Sequence, residues 1–96
     1  MGANKMPGIE FGDNFYWKWV GGLDVIEFTI DVDGLPVICR VSRECLEDHC
    51  GNPTTPGECL DVAKMNYDAI TDRIAGLIAD GRFEPDDSIM LRSSDW

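Results

Sequence analysis

The chain is 96 residues long, 44% hydrophobic and 27% charged, which allows one modest core and excludes disordered, collagenous and disulfide-stapled classes. Its 18 Asp and Glu oppose 8 Lys and Arg, a net charge of -10, and the cations stand singly along the sequence. Such a field repels phosphate backbones and anionic lipid, so neither nucleic acid nor a membrane is expected as a partner.

No stretch approaches the ~20 apolar residues that span a bilayer, and the N-terminus lacks the apolar run and cleavage site of a signal peptide. A cytoplasmic location is expected. Residues 1–8 read as a loose arm; Gly2 is present, but Met6 stands where a myristoylation signal has Ser or Thr. Residues 9–96 read as a single α+β domain.

In chain order, Phe15 to Val20 alternates, with Phe15, Trp17 and Trp19 on one face of a strand and Tyr16 and Lys18 on the other. After Gly21-Gly22, a second strand from Val25 to Val32 puts Ile26, Phe28 and Ile30 on one face and Glu27, Thr29 and Asp31 on the other. Asp33-Gly34 predicts a type I′ hairpin, because that turn needs positive φ at both central residues. The return strand is Leu35 to Val41. Ser42 is the N-cap of a short helix, Arg43 to Cys50, that stops at Gly51. Thr55-Pro56-Gly57-Glu58 is a capping box for a longer helix whose stripe of Ala63, Tyr67, Ile70, Ile74 and Leu77 faces inward. Unbroken to Asp80, that helix would be about 37 Å long, longer than a domain of this size is wide, so a break between Met65 and Asp68 is expected at the weak helix formers Asn66 and Asp68. Ser88 to Arg92 is a last short strand. The expected fold is a small antiparallel sheet of three or four strands with a short and a longer helix on one face, in the order β-β-β-α-α-β.

The run from Val37 to Asp48 after the Asp33-Gly34 turn, with Ile74, Ile78, Gly81-Arg82-Phe83 and Ile89-Met90-Leu91, resembles the DUF1488 family. The resemblance spans roughly Ile9 to Asp95 and implies a compact bacterial α+β protein with no assigned activity and no catalytic residues to carry over. Against the family's pattern, Cys45 stands where Ala is usual and Cys50 where an aromatic is usual. The resemblance therefore implies no thiol function shared across the family.

Chemistry is concentrated in Cys39, Cys45, Cys50, Cys59 and the single His49. Thiolates with an imidazole can bind zinc, yet no C-x-x-C knuckle is present, and Cys45 and His49 match only as an i, i+4 pair. A Cys45–His49 pair on a short helix is the pattern of an activated thiol, but Glu44, Glu47 and Asp48 oppose thiolate formation, and no oxyanion donor or orienting group is visible. Buried, reduced cysteines are the preferred reading. Asp31-Val32-Asp33-Gly34 fails as a calcium loop because Thr29 and Arg40 stand at required ligand positions.

The sequence thus predicts a non-catalytic interaction or adaptor module without a cofactor, acting as a homodimer, with Phe15, Trp17 and Trp19 as interface candidates because they exceed what one helical stripe can cover. A protein partner is the other expected association. The alternative is a thiol- or metal-dependent protein using Cys45, His49 and Cys50.

Overall fold

A computed structural model describes residues 8–12 and 17–96. Residues 1–7 of the expected arm, and Phe15 and Tyr16 of the expected first strand, lie outside the described residues. In chain order the elements are β1 Ile9–Glu10, β2 Lys18–Val20, β3 Val25–Val32, β4 Leu35–Ser42, α1 Arg43–His49, α2 Pro56–Met65, α3 Tyr67–Ala79 and β5 Ile89–Leu91, followed by a 3₁₀ turn, Ser93–Asp95.

The hairpin forms as its turn predicts, with φ of 53° at Asp33 and 85° at Gly34. That turn sets β3 against β4 in unbroken antiparallel register from Val32↔Leu35 to Val25↔Ser42. β1 and β2 both pair with β3 on its other edge, at Asp31–Val32 and Val25–Glu27 respectively. β1 falls in the expected arm-to-domain boundary and, at two residues, is too short for periodicity to register. Two hydrogen bonds hold it to the turn, Gly8 N donating to Asp33 Oδ1 at 2.8 Å and Asp33 N donating to Gly8 O at 2.7 Å.

The sheet departs from expectation in two respects. Among the described residues it has five strands, and β5 runs parallel to β4, pairing Ile89 with Cys39 and Leu91 with Val41. The cause lies in the connection: helices intervene, and a crossover of that length lets the chain re-enter the sheet beside the second half of β4 running in the same direction. A hairpin loop would have made β5 antiparallel.

Capping fixes the helix starts. Ser42 Oγ accepts from Cys45 N at 3.1 Å, and Thr55 Oγ1 accepts from Glu58 N at 3.1 Å. The Glu58 carboxylate reaches back to Thr54, one residue before the cap, accepting from its N–H and its hydroxyl at 2.8 Å each. Those hydrogen bonds hold the Glu58 pKa below its ordinary value. The expected break in the longer helix falls at Asn66, whose Nδ2 donates to Val62 O at 2.8 Å. An Asn side chain that bonds the preceding turn competes with the backbone ladder there, and α3 starts afresh at Tyr67.

All three helices lie on one face of the sheet. Ile26, Phe28 and Ile30 of β3, Cys39 and Val41 of β4, and Ile89 and Leu91 of β5 meet Leu46 of α1, Cys59 and Ala63 of α2, and Ile70, Ile74 and Leu77 of α3 in one core. The other face is polar, and Lys18, Glu27, Arg40 and Asp86 form a chain of ion pairs across it at 3.5, 3.0 and 3.4 Å. Truncating the fully buried Ile74 to Ala removes apolar contact and leaves a cavity, a loss of about 2 to 5 kcal/mol. Urea or thermal unfolding of Ile74→Ala reads that loss; a melting point within a degree or two of the parent would show that α3 does not pack by this face.

Candidate functional site

His49 does not join the cysteines. Cys45 follows the N-cap by three residues and is turned inward with Leu46, whereas His49 is exposed at the other end of α1. The imidazole turns away from the thiol and towards the C-terminal segment, where Nε2 lies 3.0 Å from Ser93 O. Cys39, Cys45, Cys50 and Cys59 are all free and all buried. Among the described residues, no group of three or more His, Cys, Asp or Glu is placed to hold a metal ion.

Burial also removes the thiols from chemistry near neutral pH. Desolvation pushes Cys39 and Cys45 from the ordinary thiol value of 9.0 up to about 12, and it raises Cys50 and Cys59 as well. At Cys45 the charges of Cys50, Asp48 and Asp95 add to the effect. The helix N-terminus that could favour a thiolate is outweighed, because a buried anion loses its water without gaining a cation.

The corner that His49 joins was invisible in the sequence, since its parts come from opposite ends of the last half of the chain. Ser93 Oγ donates to Asp48, and the His49 ring stacks on Trp96 at 5.1 Å with 6° between planes. Arg73 covers the same indole, its guanidinium carbon 5.4 Å from the ring centroid. Asp95 accepts from Arg82 at 3.0 Å and from Arg92 N at 3.1 Å, and Arg92 grips Glu84 with two hydrogen bonds of 2.8 and 3.1 Å. The Arg92 guanidinium accordingly holds the Glu84 pKa below its ordinary value.

Ser, His and Asp meet here without forming a hydrolase triad. A carbonyl oxygen only accepts, so in its contact with Ser93 O the His49 Nε2 carries the proton and cannot take one from the hydroxyl 3.4 Å away. The acid binds the serine rather than orienting the imidazole, which is the reverse of the catalytic order. The arrangement fastens the C-terminal turn onto α1.

Beside this corner the polar face of the sheet dips into an open groove. Leu23, Val25 and Met90 supply its apolar surface, and Ser42, Glu44, Asp48, Arg92, Ser93 and Ser94 surround them.

Of the interface candidates, Trp17 is a core residue of the single chain. It is 4% exposed, stacked on Phe28 at 4.1 Å with Tyr67 at 5.5 Å on the indole, and it has no surface to offer a second copy. Trp19 is half-buried and packs against the same core, and Phe15 lies outside the described residues. Cover comes from α1, α2 and α3 together rather than from one helical stripe.

The fold is that of a small α+β protein. A family profile described as a protein of unknown function, DUF1488, matches residues 9–91, and the chain belongs to that family. A crystal structure of a DUF1488-family protein of unknown function from Shewanella loihica PV-4 is similar at a TM-score of 0.78 and 20% identity, covering 86% of this chain and 90% of the other. No curated protein matches the chain.

The buried thiols predict a distinct alkaline response. Below pH 9 both folded and unfolded chains hold these protons; between 9.0 and about 12 only the folded chain does, so stability is full below the lower value and falls as pH rises through the window. Urea midpoints should decline above pH 9, less steeply in Cys39→Val, and a thiol reagent at pH 8 should label the native protein slowly but all four cysteines after unfolding. Stoichiometric labelling of a native thiol at pH 8 would contradict this burial.

Proposed function

We propose that this protein is a non-catalytic interaction module of the bacterial cytoplasm that works as a two-fold homodimer. One observation carries the reading: half of β4 forms an apolar open edge. β5 pairs only with Cys39–Val41, so among the described residues Leu35–Ile38 has a strand on the β3 side alone. Within it Leu35 is 68% and Ile38 41% exposed. An apolar edge open to solvent is a docking surface for another chain.

Pro36 shapes how that docking works. It offers no N–H to a further strand, so continuation of the ladder is blunted, and contact between copies wraps the edge, with Ile38 on the outer face and Leu35 on the helix side. Closed two-fold symmetry hides such a patch from further growth. A reducing compartment suits four unpaired cysteines sharing one fold.

The net charge of -10 opposes association, so the dimer should strengthen as salt screens it. Sedimentation at tens of micromolar, at low and at physiological salt, should show a dimer favoured by the higher salt. Ile38→Glu should be monomeric while melting close to the parent, because the side chain it replaces faces solvent. A parent protein that is monomeric under both conditions overturns the reading.

A further inference from the structure

The groove lies at the opposite end of β4 from the open edge, beside Ser42 rather than Leu35, so it is a second surface and remains available in the dimer. Its apolar part is Leu23, 57% exposed on the turn between β2 and β3, with Val25 and Met90 beneath it on the outer face. Glu44 and Asp48 stand four residues apart on α1, so they share one helix face, and both line the groove.

The charges there do not balance. Arg92, the cation of the lining, is held by both oxygens of Glu84. Asp48 is bonded by the neutral Ser93 hydroxyl, and Glu44 has no hydrogen-bond or ion-pair partner among the described residues. Two carboxylates without a counter-cation thus flank an apolar depression on a chain that is already strongly acidic. A second copy, itself at -10, is the wrong occupant.

We propose that the groove between Leu23, Met90 and the Glu44/Asp48 face of α1 binds a basic segment of another protein that carries an apolar side chain between Lys or Arg residues. The apolar side chain would sit over Val25 and Met90, and the flanking cations would meet Glu44 and Asp48. The inference rests on the interaction-module reading but not on the dimer. The apolar anchor supplies affinity, whereas the exposed ion pairs supply choice of partner and a dependence on salt.

The probe is a fluorescent eight-residue peptide with a central Leu flanked by Lys, compared with a Leu→Ser and a Lys→Glu version, titrated by anisotropy into the full chain. Saturable binding of the Lys/Leu peptide is expected, weakened about tenfold by the Leu→Ser change and abolished by Lys→Glu. Glu44→Gln should weaken it about twofold to fivefold and flatten its salt dependence, and amide shifts should gather at Leu23, Val25 and Met90. Absence of saturable binding, equal binding of the Lys→Glu peptide, or shifts gathered elsewhere would each overturn the proposal. Sedimentation of the same samples reads the oligomeric state separately, so loss of the dimer and loss of groove binding are distinguishable.

Discussion

Two residues at the Asp33–Gly34 turn govern the rest of the structure, because they fix the register of β3 against β4. Side chains alternate along a strand, so a slip of one residue would send Ile26, Phe28 and Ile30 to solvent and bring Glu27, Thr29 and Asp31 inside. With the observed register, Ile26 meets Val41 and Phe28 meets Cys39 over the helices, while Glu27 meets Arg40 on the far face. The turn is itself secured by β1, which ties Gly8 to both the amide and the carboxylate of Asp33.

One-sided cover follows from that alternation. Three helices bury the apolar face and leave the polar one to an ion-pair chain, with Arg40 and Glu27 each only 18% exposed at its centre. Opposed pairs of this kind contribute modestly to stability, and here they also keep the outer face from becoming a second apolar layer. The apolar positions left on that face, Ile38 at one end of β4 and Leu23 with Met90 at the other, are therefore set apart by charged residues, while the exposed Leu35 sits at the edge on the helix side. The thiols, by contrast, are drawn into the core by the same packing and lose their acidity there.

Much of the fold was legible because it is written in local chemistry. The Asp-Gly turn, the Ser42 and Thr55 caps, the break at Asn66 and the inward stripe of Ala63, Ile70, Ile74 and Leu77 are each set by residues within a few positions of one another. The direction of β5 was not legible, since it depends on where three helices leave the chain. Nor was the fastening of Ser93 and Trp96 onto α1, which joins residues more than forty positions apart and has no periodicity to betray it. The burial of Trp17 was not legible for a related reason: whether an apolar face is covered from within or by a second copy depends on how many helices reach it.

The register is the claim on which both proposed surfaces stand. With a two-residue turn, Val32 and Leu35 form the hydrogen-bonded pair beside it, which makes Thr29 and Ile38, three steps along, a non-hydrogen-bonded pair on the outer face, with Cα atoms about 4.5 Å apart. That spacing lies within reach of a disulfide, and both side chains are exposed. The direct measurement is oxidation of a Thr29→Cys/Ile38→Cys variant, with the bridge located by peptide mapping beside a Thr29→Cys/Val37→Cys control. The register predicts a rapid intramolecular 29–38 bridge and none between 29 and 37; bridging in the control alone would contradict it and move Ile38 off the open face.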